Sequence, residues 1–325
     1  MTEIVVEKYR STSKNDWNTF VKQAKNATFL FDRDFMDYHQ DSFQDFSLMI
    51  YEGEKLLALL PANKVENKLY SHQGLTYGGL ILSKKIKFEK VLLVFQSILQ
   101  FLKENDIETL QLKLIPQIYV TYPADEITYL LFLLKAERVR CDISSAIQLK
   151  NPQKIQSNRL EGVKKAKKNG LIIKKESQFS NFWNEILTPN LEQTHNAKPV
   201  HSEEEIKLLA EKFPKDIHQF NVYLNEKIVG GATIFETENV AHVQYISANH
   251  QKQELGTLDF LFQHLIEKEF KHKNYFDFGT SNEQQGLKLN KGLSYWKECF
   301  GARSVAHEFY ELKTSNFERL QDIYL

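Results

Sequence analysis

Hydrophobic residues recur along this chain with two different spacings, one typical of amphipathic helices and the other typical of strands. The alternation of the two predicts an α/β protein. In the segment 88–105, apolar residues recur every three or four positions and form the single apolar face of a long amphipathic helix. The segments 219–224, 227–236 and 240–248 are rich in β-branched and aromatic residues and are separated by short polar turns. They predict an antiparallel meander of three strands.

The other elements are predicted from the same periods. In the first half we predict strands at 4–9, 47–51, 56–63, 68–71, 109–114 and 145–149, and helices at 15–25, 35–38, 88–105 and 125–134. In the second half we predict helices at 158–169, 179–193, 202–212, 257–272 and 287–300, and strands at 171–175, 275–278 and 305–312 besides the meander. Ser202 and Glu205 form a capping-box pattern at the start of the helix 202–212.

The chain divides near its middle, because Asn151-Pro152 interrupts the pattern and a similar series of elements then begins again. A length of 325 residues also suggests two domains. We place them at 1–150 and 151–325. The sequence contains no repeat of fixed period, so any duplication is structural. We expect each lobe to be a mixed, largely antiparallel sheet flanked by helices.

Composition and charge exclude several classes of protein. The 42 basic and 42 acidic side chains cancel, so no global field attracts nucleic acid or an anionic membrane. The N-terminus has no apolar signal segment, and the longest apolar run, 129–134, is far shorter than the ~20 residues that span a bilayer. Cys141 and Cys299 lie too far apart in sequence for a CxxC site. We expect a cytoplasmic protein without a transmembrane segment, and the oligomeric state is left open.

The familiar cofactor motifs are absent from the sequence. It contains no GxGxxG, GxxxxGK[ST], HExxH or GxSxG motif, and its ten histidines are scattered rather than spaced as metal ligands. We therefore predict no metal and no tightly bound cofactor. Direct acyl transfer from an activated donor requires none of these motifs, because the enzyme needs only to position two substrates, move a proton and stabilise an oxyanion.

One long segment resembles a known superfamily. The segment 275–301, YFDFGTSNEQQGLKLNKGLSYWKECFG, resembles the C-terminal signature of the Fem-type peptidoglycan aminoacyltransferases and their GNAT-like relatives. The segments PAN at 61–63, SHQGLTYGG at 71–79 and KPVHSEEEI at 198–206 resemble an arm-less, Bacteroidetes-type subset of these proteins. The likeness covers nearly the whole chain. It implies an α/β (α+β) fold of tandem GNAT-like lobes, with the acceptor side in the first lobe and acyl transfer in the second.

The resemblance also implies the donor, which is an acyl-CoA or an aminoacyl-tRNA used as co-substrate. GNAT proteins that bind CoA carry a [QR]xxGx[GA] turn at a helix start, and the corresponding turn here is QELGTL at 253–258. Gln253 and Gly256 match this turn and are the predicted cofactor-binding residues, whereas Leu258 stands where a small residue belongs. Both donors therefore stay open.

Three residues are the catalytic candidates. By its place in the family pattern, Lys297 lies near the reacting ester, where its charge could stabilise an oxyanion; the alternative is a surface lysine whose stem covers apolar neighbours. Tyr245, on the third meander strand, is the preferred proton donor or relay, and its alternative is a half-buried strand tyrosine. Asn282 could bind a substrate carbonyl or cap a turn.

Further residues are candidates for substrate binding. His201 could be a general base or a packing residue. Arg159 begins a basic helix whose lysines could bind phosphate groups. The alternative is that these lysines form a solvent-exposed face with no ligand. The loop 71–79 is interpreted as an acceptor site, with a rigid structural loop as the alternative. The complete predicted set is His72, Gln73, Thr76, Tyr77, Arg159, His201, Ser247 and Asn290, with His39 and His195 as further histidines.

The functional prediction is direct transfer of an acyl or aminoacyl group to an amine-bearing small molecule or a cell-envelope precursor such as a peptidoglycan precursor. No activated nucleophile is visible, so no covalent enzyme intermediate is expected. The first alternative is a catalytically silent GNAT-like binding protein. The second is an RNA-binding module that uses the basic helix 159–168.

Overall fold

The computed structural model describes residues 3–321, 323 and 324, except for the side chains of His39, Gln40, Thr194 and His195. The candidate side chains of His39 and His195 thus lie outside the described residues. Contacts divide the chain into a first unit, Met1–Asp142 with Ala306–Leu325, and a second unit, Ile143–Val305. This division differs from the predicted one at 150, because the last strand pairs with a strand of the first unit.

The described residues of the first unit form two groups of strands and four α-helices. Its strands are β1 (Ile4–Lys8), β2 (Leu48–Glu52), β3 (Lys55–Leu60), β4 (Asn63–Val65), β5 (Lys68–Tyr70), β6 (Ile81–Leu82), β7 (Thr109–Lys113), part of β8 (Glu137–Gln148) and most of the last strand, β16 (Arg303–Lys313). Its helices are α1 (Lys14–Gln23), α2 (Arg33–Met36), α3 (Phe88–Glu104) and α4 (Glu126–Leu133). Short 3₁₀ turns lie at Ser11–Ser13, Phe29–Phe31, Asp37–Ser42, Gln117–Tyr119 and Thr314–Leu320.

The core of the first unit forms around α3. Its apolar face, including Phe95, Ile98 and Leu102, is fully buried, as the helical period predicts. One sheet has the order β1-β2-β3-β6, and the other strands follow the order β4-β5-β7-β16-β8. Strands β5 and β7 are parallel, whereas β7 and β16 are antiparallel with Phe309 opposite Lys113.

The second unit combines a mixed sheet with helices on both faces. After β8 come α5 (Ser157–Lys168), β9 (Ile172–Glu176), α6 (Ser180–Phe182), a π-helical turn (Trp183–Leu187), α7 (Thr188–His195), α8 (Glu203–Lys212), β10 (Ile217–Leu224), β11 (Lys227–Glu236) and β12 (Val240–Ala248). They are followed by α9 (Lys252–Leu255), α10 (Thr257–His264), a π-helical turn (Leu265–Glu269), β13 (Tyr275–Thr280), β14 (Asn282–Glu283), β15 (Lys288–Leu289) and α11 (Lys291–Glu298).

The sheet of the second unit has the order β8-β13-β12-β11-β10-β9. All neighbouring strands are antiparallel except β12 and β13. A core of Phe262, Phe276 and Phe300 joins α10 and the end of α11 to one face of the sheet. The predicted meander is confirmed, and the Ser202–Glu205 capping box forms both of its hydrogen bonds, at 3.2 and 2.7 Å.

Several predicted boundaries were wrong. The helix predicted at 287–300 begins only at Lys291, because 288–289 pairs with 282–283 as a small hairpin. The strand predicted at 56–63 is two strands, and the one predicted at 145–149 begins as early as Glu137. The helices predicted at 179–193 and 257–272 contain π-helical turns, and the second of them ends at Glu269. Among the described residues, no helix is both long enough and apolar enough to cross a bilayer.

Candidate functional site

The candidate site begins where the parallel strands β12 and β13 part. They pair only over Val240–His242 and Tyr275–Asp277. Beyond these residues β12 continues along β11, and β13 continues along β8. No further pairing joins β12 to β13 within the described chain. Beyond His242 the described part of β12 therefore has no partner strand on this side, whereas the backbone of β13 is already hydrogen-bonded: the N–H of Gly279 donates to Asp277, and Lys297 donates to the carbonyls of Gly279 and Thr280.

A β-bulge lies directly after the last paired residue. Thr233 is opposite Tyr245 and Ile234 is opposite Val243, so Gln244 is an extra residue on β12. The bulge changes which side chains face the core. Ala241 and Val243 belong to the apolar core beside α10, whereas Tyr245 faces Trp183 on the opposite side of the sheet.

Tyr245 is held in a buried pair with His201. Its hydroxyl lies 2.5 Å from His201 Nδ1 and accepts the backbone N–H of His201 at 3.1 Å. The indole of Trp183 packs edge-on against the phenol ring, with 5.1 Å between the ring centroids. Burial raises the pKa of Tyr245 to about 12. The phenol therefore keeps its proton at neutral pH and can act as a donor.

A cavity of about 740 Å³ opens at the far end of β12, within the second unit. Side chains from α5, α7, β12, α10 and α11 line it. The structure brings three predicted site residues together here: Arg159, Ser247 and Gln253. Ser247 Oγ accepts a hydrogen bond of 2.9 Å from Asn190, and Arg159 forms an ion pair of 2.8 Å with Asp259.

Charge in this cavity is mixed, with a small basic excess. Arg159, Lys165 and Lys252 line it together with the acidic residues Glu161 and Asp259. Burial raises the pKa of Asp259, and Arg159 opposes that shift. The excess of basic side chains would favour phosphate groups in the cavity. The acidic side chain of Asp259, however, lies in the first turn of α10, which is where GNAT proteins that bind CoA hold its pyrophosphate.

Gly256 permits the close packing of α5 against α10. It has a φ of +72°, and a Cβ there would lie 2.0 Å from the carbonyl oxygen of Gly162. A Cβ on Gly162 would lie 1.9 Å from a carboxylate oxygen of Asp259. The predicted cofactor residue Gly256 thus contacts a neighbouring helix, whereas the predicted Gln253 lines the cavity.

Lys297 is buried, with only 3% of its surface exposed, and it does not line the cavity. Its ammonium group donates to the carbonyl oxygens of Gly279 and Thr280, both at 2.8 Å. Burial lowers the pKa of Lys297 to about 8, and the charge of Asp277 opposes this shift. The side chain therefore fixes the end of β13, and it is not the surface lysine of the alternative interpretation.

The lowered pKa of Lys297 predicts a pH dependence of stability. Its folded pKa of about 8 lies below the ordinary value of 10.5, so the unfolded chain binds more protons between these pH values. Relative to Lys297→Met, we expect the wild-type free energy of unfolding to rise across this window, by about 3 kcal/mol in total. Urea unfolding at several pH values measures this difference. The exposed Lys291→Met is the control on the same helix, and parallel pH profiles for wild type and Lys297→Met would contradict the prediction.

The two asparagines of the signature segment hold its backbone. Asn282 accepts the N–H of Ile143 at 2.6 Å and donates to the carbonyl of Gly286 at 3.1 Å. Asn290 caps α11 by accepting the N–H of Leu293 at 3.0 Å. Both side chains thus stabilise the loop between β13 and α11, as the turn-capping alternative for Asn282 describes.

The polar loop 71–79 lies in the first unit. His72 is buried at a φ of +66° against the ring of Phe43, and the Tyr77 hydroxyl lies 3.0 Å from that of Thr28. Gln73 is exposed and exchanges two hydrogen bonds of 2.8 Å with Asn63, and Thr76 is half-buried. Gln73 and Thr76 therefore offer the accessible side chains of this loop.

Sequence reasoning missed Asn190, Gly162 and the pair formed by His242 and Asp277. Asn190 and Gly162 belong to helices far from β12 in sequence, and nothing local marks them. His242 stands two residues before a bulge that no sequence signal announces. Asp277 also accepts the N–H of Gly279 at 3.0 Å and so holds the loop that follows β13.

Solved structures share this fold over nearly the full length of the chain. FemX superimposes with a TM-score of 0.66 at 10% identity, covering 97% of this chain and 99% of that one. L-PGS from Bacillus licheniformis gives 0.61 at 12% identity, covering 95% and 93%, and a tandem GNAT protein from the clavulanic acid biosynthesis pathway gives 0.51 at 9%, covering 96% and 99%. The chain has a tandem GNAT fold. This confirms the predicted fold class, and at such identities the likeness concerns the fold alone.

Comparison by sequence adds nothing to this result. Neither a protein-family model nor a curated protein matches the chain.

Proposed function

We propose that this chain transfers an acyl or aminoacyl group from an activated donor to an amine, without a covalent enzyme intermediate. One observation carries the proposal: the cavity opens at the end of β12, beside the edge that β12 no longer shares with β13. A donor seated in the cavity could extend its reactive end along this edge toward the bulge at Gln244. The strand edge would then offer backbone donors to the oxyanion.

Tyr245 is the proposed proton donor to the leaving group. As the new C–N bond forms, the C–O or C–S bond of the donor breaks; the attacking nitrogen releases a proton to solvent, and the leaving oxygen or sulfur takes the phenol proton. With a pKa of about 12, Tyr245 is protonated beforehand and readily recovers its proton. His201, at 2.5 Å, is the proposed relay for that recovery. Lys297 and Asn282 are proposed to position the loop between β13 and α11.

The donor carries phosphate in either form, as an acyl-CoA or as an aminoacyl-tRNA. Helix α5 supports this proposal, because Lys164, Lys165, Lys167 and Lys168 are exposed on it and Lys165 lines the cavity. The acidic Asp259 beside the α10 terminus favours a donor other than CoA held in the usual turn. We therefore propose aminoacyl-tRNA as the first donor and acyl-CoA as the second. Both are molecules of the cytoplasm, where we place the reaction.

Calorimetric titration at near-physiological salt distinguishes the donors. We expect saturable binding of aminoacyl-tRNA, weakened by rising salt as phosphate contacts require. Lys165→Gln with Lys252→Gln should weaken it more than Lys167→Gln with Lys168→Gln, because only the first pair lines the cavity. Saturable binding of CoA or acetyl-CoA would instead assign a thioester donor. Binding of neither would overturn the proposal and leave the silent binding protein.

The proposed acceptor is an amine-bearing small molecule or a cell-envelope precursor. This follows from the resemblance to Fem-type enzymes, and the loop 71–79 is its proposed binding segment. Gln73 and Thr76 would contact the acceptor, and the buried His72 and Tyr77 would hold the loop in shape.

A further inference from the structure

Two positive side chains flank one aromatic ring in the first unit. Phe309 on β16 lies directly opposite Lys113 on β7, and β16 lies between β7 and β8 in the sheet. The centroid of the Phe309 ring is 5.6 Å from Lys113 Nζ and 4.5 Å from the guanidinium carbon of Arg140 on β8. The two charges therefore lie within about 10 Å of each other, roughly one Debye length at 0.1 M salt, and they repel each other.

Asp142 is the carboxylate that opposes these two cations. It is buried and accepts Nε and Nη2 of Arg140, at 3.0 and 2.6 Å. Lys113 donates instead to the carbonyl oxygen of Leu75 in the loop 71–79. Burial lowers the pKa of Lys113 to about 8, with a contribution of the same sign from Arg140, and Asp142 opposes the shift. At neutral pH the ammonium is still mostly protonated, so the cluster keeps a net positive charge that an anion would neutralise.

Both cations offer hydrogen-bond donors and contact with solvent. Within the described chain, these contacts leave Nη1 of Arg140 and two N–H groups of Lys113 for a further acceptor. The Arg140 side chain is 36% exposed, and Lys113 is half-buried. The neighbouring loop is fixed to β7, because Gly78 donates to the Lys113 carbonyl at 2.7 Å and Ser71 Oγ accepts the Lys113 N–H at 2.8 Å. The two cations therefore lie beside a backbone that holds its shape.

We propose that Lys113 and Arg140 bind an oxyanion of the acceptor, a carboxylate or a phosphate group; this rests on the proposed acyl transfer. The anion accepts from Nη1 of Arg140 and from the ammonium of Lys113, and it removes the repulsion between them. Both cations lie beside the segment proposed above for acceptor binding, the loop 71–79. The acceptor is therefore an amine that also carries a negative charge.

The first test needs no acyl transfer. Sodium phosphate and sodium acetate are titrated separately at constant ionic strength and near-neutral pH. The side-chain Nε–H signal of Arg140, assigned with Arg140→Gln, is followed by ¹H–¹⁵N NMR. We expect a saturable shift with at least one of the anions, and Lys113→Met should weaken its binding by roughly 10-fold or more. The anion that binds more tightly identifies the oxyanion as a phosphate or a carboxylate.

Two controls exclude a nonspecific effect of charge. Arg138 lies two positions earlier on the same strand and pairs with Glu308 at 2.8 Å, so its signal should not follow the titration. Lys103→Met also removes an ammonium that lies over an aromatic ring, at 5.2 Å, and it should leave the affinity unchanged. The proposal would be overturned by equal shifts at Arg138 and Arg140, by no saturable shift with either anion, or by an affinity insensitive to Lys113→Met.

The second test separates this site from the proposed function. A lysine-containing peptide with a free carboxyl terminus is compared with its amide, or the same peptide with and without a phosphoserine, according to the anion that binds. With aminoacyl-tRNA or acetyl-CoA as donor, the wild type should have a KM roughly 10-fold lower for the charged acceptor, and Lys113→Met should abolish this difference. Equal KM values in the wild type would overturn the role in acceptor binding. If the anion binds in the first test and no donor supports transfer to either peptide, the proposed function fails, and the acceptor role of the site with it.

Discussion

Replacing Tyr245 by phenylalanine should lower the rate of acyl transfer by roughly 100-fold or more, because the leaving group then departs without a proton donor. The phenyl ring keeps its contact with Trp183, so the shape of the site should survive. The backbone N–H of His201 loses its acceptor, which costs about 1–3 kcal/mol of stability. Initial rates at saturating donor, together with a thermal melt, separate the two effects.

Tyr223 provides the control for this prediction. It is another buried tyrosine of the second unit, and its hydroxyl donates to Glu176 at 2.8 Å, away from the bulge. Tyr223→Phe should lower stability by a similar amount and leave the transfer rate nearly unchanged. Equal rates for the two variants would show that the Tyr245 hydroxyl has no part in the chemistry.

Replacing Gly256 by alanine should have the largest effect on stability, about 3 kcal/mol or more. The left-handed backbone at +72° costs an L-residue about 1–2 kcal/mol. The added methyl group would also lie 2.0 Å from the carbonyl oxygen of Gly162, so α5 would have to move away from α10. The midpoint of urea unfolding measures the loss. Because Arg159 and Asp259 lie at the same contact, the lining of the cavity should change as well.

Gly170 is the matched control for Gly256. It has a φ of +74°, but a Cβ there would have no neighbour within 4 Å. Gly170→Ala should therefore cost only the backbone penalty of about 1–2 kcal/mol. If the two variants unfold at the same urea concentration, the contact between α5 and α10 contributes nothing.

The elements that sequence predicts well are those whose signal is local. The apolar face of α3, the three meander strands and the Ser202–Glu205 capping box each lie within a short window of residues, and the structure has all of them. Turn residues and periodicity carry this information directly. The resemblance of the segment 275–301 then led to the tandem GNAT fold.

The candidate site was harder to predict, because it depends on tertiary contacts. Tyr245 and His201 are 44 positions apart and meet only when the segment before α8 folds onto β12. Gln244 occupies a bulge whose cause lies in the pairing with β11, and Lys297 is buried because β13 ends beside α11. The hairpin β14–β15 likewise takes the place of the first turn of the helix predicted at 287–300, because strand pairing outweighs helix propensity there.

The return of the last strand to the first unit has a consequence for synthesis on the ribosome. Strand β16 pairs with β7, yet the entire second unit is translated between them. At 5–20 residues per second, the edge of β7 waits on the order of 10 to 40 s for its partner. The second unit is therefore complete in sequence before the first, and the β7 edge stays open to pairing with a strand of another chain during that interval.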